Sequence, residues 1–182
     1  MKTLALTFTT VAFACALGAS SLGRPRLAAA RTARIQRVDL RDEIAGARTE
    51  TWRWQRLMGT PTTPAQPVSR VASGSYQRWV LRLWRRRAAQ LWRRATHPPH
   101  LRQFLCIHRF EGAWSSATGN GYFGGLQMDL SFQHRYAAGL LRSKGTADHW
   151  TPLEQIWAAE RAHRSGLGFT PWPNTARVCG LF

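Results

Sequence analysis

The clearest periodic pattern in the chain is an amphipathic helix over residues 76–95. Apolar side chains recur there at three- and four-residue intervals and form one stripe, whereas arginines take most of the other positions. The stripe consists of Tyr76, Trp79, Val80, Leu83, Trp84, Ala88, Leu91, Trp92 and Ala95. Two interpretations remain open: the stripe packs on the downstream part of the chain, or the helix binds an anionic surface.

The second half of the chain predicts a small, mainly α domain with a glycine-rich hairpin. Pro98-Pro99 ends the preceding helix, and proline is favoured in the first turn of a new one. Gly119-Asn120-Gly121 is typical of a tight turn. The predicted elements are a helix over 99–112, an extended or hairpin segment over 122–127, a helix from Asp129 or Ser131 to about Lys144, and a helix over 152–165 that opens with a capping box from Thr151 to Glu154.

The first half divides by composition into a leader, a basic region and a linker. Residues 1–20 contain one lysine followed by uncharged apolar or small residues, which is typical of a secretory signal peptide. Residues 21–58 are rich in arginine and alanine, with Ile35, Val38 and Ile44 at loose helical spacing. Residues 59–75 contain three prolines among small polar residues and predict an extended, poorly packed linker. The predicted parts are therefore 1–20, 21–58, 59–75, the Arg/Trp helix with its end at 76–98, and a domain at 99–182.

Charge is distributed unevenly between these parts. The net charge is +17, and residues 1–100 contain 18 basic and 4 acidic side chains, whereas residues 101–182 contain 8 and 5. This imbalance indicates a cationic arm joined to a nearly neutral domain and disfavours an ordinary acidic cytosolic enzyme. Residues 76–95 would bind an anionic wall polymer or a membrane surface, while an exported protein is not expected to bind nucleic acid.

The leader also bears on location and on the cysteines. We expect a secreted or cell-wall associated protein, with a retained N-terminal membrane anchor as the alternative. Removal of the leader leaves two cysteines, Cys106 and Cys179. An even pair in an exported chain predicts a disulfide bond.

One carboxylate in the second half has no evident structural use. Glu111 ends an apolar helix and stands three residues before Trp114. A carboxyl group held against aromatic surface loses hydration and stays protonated longer, which suits a general acid. The alternative is a solvated helix end. The other four acids have structural interpretations: Asp129 and Glu154 as caps, Asp148 in a polar loop, and Glu160 paired with Arg164.

The histidines and cysteines do not predict a metal site. His97, His100, Cys106 and His108 have suggestive spacing, but the first pair encloses Pro98-Pro99 and no second Cys/His pair follows. We therefore expect neither a metal nor another cofactor.

The glycine-rich stretch resembles a known family. The run TGNGYFGGLQ at residues 118–127 is similar to TGNGYYGGLQ in the resuscitation-promoting factor, or transglycosylase-like, family of actinobacteria. The segments EQI at 154–156, AER at 159–161 and WP at 172–173 follow in the family's order. The resemblance covers about residues 99–182, and it implies a lysozyme-like α+β fold that acts on the glycan strands of peptidoglycan.

The resemblance also implies roles for individual residues. Glu111 stands in the place of the single catalytic glutamate, Gln127 would line the cleft, and Ser131 stands where relatives carry a substrate-contacting threonine. Trp114 and Tyr122 offer aromatic faces for sugar rings, whereas core packing is the preferred role for Trp172.

Two departures from the family pattern lie near the glutamate. The family reads Cys-Glu-Ser-Gly-Gly-Asn-Trp, whereas Cys106 here precedes Glu111 by five residues. The loop from Glu111 to Trp114 is also two residues shorter. These departures concern the geometry of the disulfide and one part of the cleft wall.

The sequence thus predicts a secreted enzyme that cleaves peptidoglycan with one glutamate as general acid and base. A lytic transglycosylase would use the sugar's own 6-hydroxyl as nucleophile, whereas a muramidase would use water, and the sequence leaves both open. The alternative from another class is a cationic wall- or membrane-binding protein whose lysozyme-like domain is inactive.

Overall fold

The computed structural model describes residues 39–65, 67–69 and 71–182. The predictions for the leader and for the periodic positions Ile35 and Val38 fall on residues outside this range. Residues 39–182 form one unit, in which helices dominate.

Two long helices open the described part of the chain. Helix α1 spans Leu40–Met58 and helix α2 spans Gly74–Ala95. Ile44 near the start of α1 packs with Val80 and Leu81 in the first half of α2, and Met58 at the end of α1 packs with Ala95 at the end of α2. These contacts require that the two helices run in the same direction.

The segment between the helices therefore has to return along α1. It does so in contact with that helix, because the Trp52 indole donates to the Thr63 carbonyl at 2.8 Å and the Gln55 amide bonds both the Thr63 backbone N–H and its hydroxyl. The expectation of a poorly packed linker is wrong at this point. Two side chains of α1 satisfy polar groups that a free linker would leave to water.

The rest of the chain forms five helical segments, a single-turn 3₁₀ helix and a short hairpin. Tyr122 in the first strand pairs with Asp129 in the second, antiparallel strand. The mainly α class with a small glycine-rich hairpin is confirmed. The elements are α3 (Leu101–Glu111), β1 (Tyr122–Phe123), β2 (Met128–Asp129), α4 (Leu130–Lys144), a 3₁₀ turn (Ala147–His149), α5 (Pro152–Ala162), a π-helical turn (His163–Leu167) and α6 (Pro173–Val178).

Local signals set several of these boundaries. Asp129 caps α4 and Thr151 forms the expected capping box with Glu154, as the sequence predicts. The helix expected over 152–165 is α-helical only to Ala162 and continues as the π-helical turn.

The main core lies between α3, the hairpin, α5 and α6. Phe104 and Ile107 of α3, Leu126 of the hairpin, Ile156 of α5 and Trp172 before α6 are all buried there. A disulfide between Cys106 and Cys179 joins α3 to the residue that follows α6.

Helices α1 and α2 dock on α5 through their carboxyl ends. The Trp157 indole donates to the Ala95 carbonyl at 2.7 Å, and the guanidinium groups of Arg161 and Arg164 donate to the Leu57 and Met58 carbonyls, each at 2.7 Å. Carbonyls at a helix end lack partners within the helix, and the dipole there favours a cation. Residues 39–95 of the basic first half are thus part of the folded unit.

Glu160 has a different partner from the one predicted. It is fully buried and accepts hydrogen bonds from the His100 backbone N–H at 2.6 Å and from its ring at 3.1 Å. Arg164, the expected partner, instead caps α1. The pairing fails because the buried face of α5 points Glu160 at the start of α3, 60 residues away in the chain.

Across the described residues, every helix is too short or too polar to cross a membrane.

Candidate active site

A cleft of about 300 Å³ lies where α3 ends, beside the hairpin and the start of α6. It brings together three of the residues singled out in the sequence, Glu111, Tyr122 and Gln127. The remaining lining residues are Asn120, Pro171, Trp172, Pro173 and Asn174. The only charged side chain among all of these is Glu111.

Glu111 is held by a residue that the sequence analysis missed. The Thr175 hydroxyl donates a hydrogen bond to Oε1 of Glu111 at 2.7 Å. Thr175 lies in α6, whose start is fixed by Pro173 at its first position. Because the two residues are 64 positions apart, no local pattern signals the pair.

The disulfide ties together the two helices that carry this pair. Cys106 lies five residues before Glu111 in α3, and Cys179 lies four residues after Thr175. The displaced cysteine noted in the sequence therefore still links the two elements that hold the candidate acid. A covalent link between α3 and α6 limits how far Thr175 can move from Glu111.

The two adjacent glycines of the hairpin permit its close approach to α3 and α5. A Cβ atom on Gly124 would lie 2.4 Å from Oε1 of Gln155, and one on Gly125 would lie 2.6 Å from the His108 ring. Oε1 of Gln155 also accepts the Gly125 backbone N–H at 2.8 Å. Only glycine fits here, which explains the Gly-Gly pair at this point of the motif.

The buried Gln155 side chain fixes the loops around the hairpin. Its Nε2 donates to the carbonyls of Trp114 and Ala147, each at 2.8 Å. One side chain of α5 thus joins the hairpin, the loop after Glu111 and the 3₁₀ turn. Gln155 belongs to the EQI segment at residues 154–156, which in the sequence alone indicated only a family resemblance.

Gln127 ends the glycine-rich run in a left-handed conformation, with φ of 47°. Its Nε2 donates to the Gly124 carbonyl at 2.8 Å, so the amide is oriented within its own turn. A non-glycine residue with positive φ is uncommon and indicates a tight constraint. The constraint places this side chain on the cleft wall.

Two of the predicted sugar-binding residues do not line this cleft. Trp114 is half-buried and stacks on the His108 ring with centroids 3.8 Å apart. Ser131 is exposed in the first turn of α4 and donates to Asp129 at 2.8 Å. Trp172 is buried and its indole donates to the Leu126 carbonyl at 2.6 Å, in keeping with the core role preferred for it.

Asp129, which lies two residues beyond Gln127 in the sequence, serves as a helix cap. It accepts the Phe132 backbone N–H at 2.7 Å and the Ser131 hydroxyl. The Phe132 hydrogen bond, with that of Ser131, holds the pKa of Asp129 below its ordinary value of 3.8. A carboxylate that is ionised, caps a helix and lies outside the cleft is poorly suited to proton transfer within the cleft.

Between Asp39 and Phe182, the described residues contain no cluster of three or more histidine, cysteine or acidic side chains that could hold a metal ion.

Comparison with known protein families gives a match that covers this site. Residues 109–175 match the family of transglycosylase-like domains. The matched segment begins just before Glu111 and ends at Thr175, so it contains the hydrogen-bonded pair and every residue that lines the cleft. No curated protein matches the chain. The match supports a lysozyme-like transglycosylase domain, and at this coarse level an enzyme of the lytic transglycosylase class that acts on peptidoglycan.

Proposed function

We propose that the protein is a secreted lytic transglycosylase of the resuscitation-promoting factor type, with Glu111 as its single general acid and base. The observation that carries the proposal is the position of Glu111, which is the only carboxylate among the described residues that line the cleft and is held there by Thr175. The transglycosylase-like match over the same residues supports it.

The proposed reaction needs one carboxyl group and no water. Thr175 holds Oε1, and Oε2 carries the proton that passes to the glycosidic oxygen as the bond from that oxygen to the anomeric carbon breaks. The sugar's 6-hydroxyl oxygen then bonds to the anomeric carbon, and its proton passes to Glu111. The acid is regenerated and the product ends in a 1,6-anhydro sugar.

The composition of the cleft favours this reaction over hydrolysis. Most glycoside hydrolases use a second carboxylate, either to activate water or to act as nucleophile. Asp129 is engaged as a cap and does not line the cleft. A nucleophile that belongs to the substrate needs no second protein carboxylate to position it.

The other lining residues suit an uncharged sugar. Tyr122 is 47% exposed at the cleft edge and offers a ring face to a pyranose. Asn120, Gln127 and Asn174 line the same cleft and provide amide donors and acceptors for hydroxyl and acetamido groups. An inactive binding protein would have no use for a carboxylate oriented in this position.

Product analysis tests the proposal. Purified peptidoglycan is incubated with the full-length protein, and the released fragments are examined by mass spectrometry. We expect fragments with anhydro ends, one water lighter than the hydrolysed products. Fragments with reducing ends would instead identify a muramidase, and a folded protein that releases no fragments would support the inactive binding protein.

Secretion is the part of the proposal that rests on the sequence. The leader-like residues 1–20 support it, and the disulfide between Cys106 and Cys179 suits an oxidising compartment. The mass of the protein recovered from culture medium tests it. A mature chain that lacks the leader is expected, whereas an intact N-terminus in the membrane fraction would favour the retained anchor.

A further inference from the structure

A groove runs along one side of α2 and shares no lining residue with the catalytic cleft. It consists of two adjoining cavities, of about 730 Å³ and about 690 Å³, and Arg87 and Gln90 line both. We call the two together the α2 groove. It extends from Tyr76 to His97, which at 1.5 Å per residue is roughly 30 Å.

The first cavity is aromatic and apolar. Tyr76 and Trp79 line it with ring centroids 5.7 Å apart, and they are 50% and 47% exposed. Leu83 lines the same cavity, and Pro64 and Pro67 lie on the linker side. Exposed aromatic rings in a concave wall offer flat surfaces on which a ring-containing chain can lie.

Arginines line both cavities of the groove. Arg86 lines the first cavity, Arg87 lines both, and Arg93 and Arg94 line the second. Helix α2 contains no acidic residue, and none of these four arginines forms an ion pair within the part of the chain that the structure describes. Arg85, which does pair with Glu43, does not line the groove. The groove therefore concentrates positive charge without a protein counter-charge.

The packing of α2 disfavours a membrane as the partner. The most apolar face of the helix, which includes Val80, Leu81 and Ala88, is buried in the folded unit. An interfacial helix needs that face for lipid. The exposed groove is a concave track, which suits a linear chain better than a flat bilayer.

The N-terminal segment of the chain is disfavoured as the occupant by its own charge. Residues 1–38 contain six basic and no acidic side chains. A like-charged segment would be repelled by the four arginines. Charge complementarity instead requires an anionic partner.

We propose that the α2 groove binds a linear, phosphate-linked sugar polymer of the bacterial cell wall and thereby holds the enzyme at its substrate. The inference rests on the proposed function for the placement at the wall. The arginines suit phosphate oxygens, because the guanidinium group binds them in a two-point fork. The aromatic end suits the sugar rings, and a chain with a phosphate in each repeat offers anions along the whole groove.

The first experiment removes the charge of the groove. Binding of the full-length protein to the purified phosphate-linked wall polymer is measured for R87Q/R93Q/R94Q and for the control R102Q/R135Q/R142Q, which removes three exposed arginines from α3 and α4. We expect the groove variant to lose at least tenfold in affinity and the control less than twofold. Binding of the wild type should also weaken from 0.1 M to 1 M salt as screening increases.

The second experiment tests the aromatic end with a matched pair. Trp79 and Trp92 both lie on α2 and are 47% and 50% exposed, but only Trp79 lines the groove. W79A should weaken binding to the polymer severalfold, whereas W92A should bind like the wild type. Equal losses in the two variants would contradict the assignment of the groove.

Further outcomes separate this proposal from its rivals and from the proposed function. Equal polymer binding by the two triple-arginine variants would overturn the proposal. So would tighter binding to anionic phospholipid vesicles or to single-stranded nucleic acid than to the polymer at the same salt. Cleavage of small soluble glycan fragments should be the same in wild type and groove variant. Loss of cleavage in E111Q with intact polymer binding would show that the two sites act separately.

Discussion

The contact between Glu111 and Thr175 links the candidate chemistry to the fold at the level of single residues. A hydroxyl that donates to one carboxyl oxygen fixes the plane of the group and so directs the other oxygen. Thr175 contacts the carboxyl group and does not itself line the cleft, so we treat it as a positioning residue.

Removing the Thr175 hydroxyl should slow the reaction. A hydrogen bond to a charged group contributes roughly 1.5–3 kcal/mol, so we expect T175V to reduce kcat about tenfold or more with little change in KM. T175S keeps the hydroxyl and should restore most of the activity. Equal losses in T175V and T175S would indicate that Thr175 contributes only packing.

Asp129 is expected to be dispensable for the chemistry. Asparagine caps a helix about as well as aspartate, so D129N should keep both the stability and the rate of cleavage. Initial rates on purified peptidoglycan measure this. A rate in D129N as low as that in E111Q would make Asp129 a second catalytic carboxylate.

Because Asp129 caps α4, its contribution to the free energy of unfolding should depend on pH. Because its pKa is lowered in the folded protein, the ionised form stabilises the fold above the ordinary pKa, and this contribution is lost as the pH falls through the lowered value. D129A should therefore cost about 1 kcal/mol at neutral pH, and less in strong acid. Thermal unfolding at two pH values checks this.

At the level of elements, the sequence predicted the helix ends, because these depend on local signals. It did not predict the hydrogen bonds between distant parts of the chain. The caps at Asp129 and Thr151 follow from a few neighbouring residues, so sequence reasoning finds them. Glu160 has two candidate partners, and the local one, Arg164, is the wrong choice because α5 buries the carboxylate against His100. The choice depends on how α3 and α5 pack, which the sequence does not display.

The candidate site shows the same contrast between local signals and long-range contacts. Glu111, Tyr122 and Gln127 flank or belong to a recognisable motif and meet in one cleft. Trp114 is close to Glu111 in sequence, but it turns to stack on His108, where Gly125 leaves room for it. Thr175 has no motif at all and is found only once α6 is placed against α3.

The disulfide is expected to contribute substantially to the placement of α6. The two cysteines are 73 residues apart in the chain. In the chain-entropy account, a cross-link that closes a loop of this length stabilises the folded state by about 4 kcal/mol. C106S/C179S should lower the free energy of unfolding and also the rate of cleavage, because Thr175 is then held less firmly. Chemical denaturation and initial rates measure the two effects. Two free thiols in the denatured, unreduced wild type after removal of the leader would contradict the bond.

At the scale of the whole molecule, residues 39–95 and the half that contains the candidate site share one folded unit. The sequence analysis left open whether the Trp stripe packs on the domain or faces a partner, and the structure buries part of the stripe and leaves another part exposed. Val80, Leu81 and Ala88 are buried, whereas Tyr76 and Trp79 are exposed. The division at residue 99 stays a prediction about domains.

A fragment of residues 99–182 is expected to fold poorly. It would lose the acceptors of Trp157, Arg161 and Arg164 at the ends of α1 and α2 and would expose the apolar side of α5. Burial lowers the pKa of Arg161 to about 10, which illustrates how closely that guanidinium is enclosed. Circular dichroism and thermal unfolding measure the effect. A fragment with the cooperative unfolding of the full chain would show that α1 and α2 are an independent attachment.

The central claim is that one carboxyl group, Glu111, performs the proton transfers of glycan cleavage. E111Q preserves size and hydrogen bonding to Thr175 but cannot donate the proton, and general acid–base assistance amounts to roughly 10²–10⁴-fold in rate. The direct measurement is the initial rate of product release from purified peptidoglycan by the wild type, E111Q and E50Q, the last an exposed ion-pair control in α1. We expect E111Q to lose at least 10²-fold while E50Q keeps the wild-type rate. A folded E111Q that releases the same products at the wild-type rate would contradict the account.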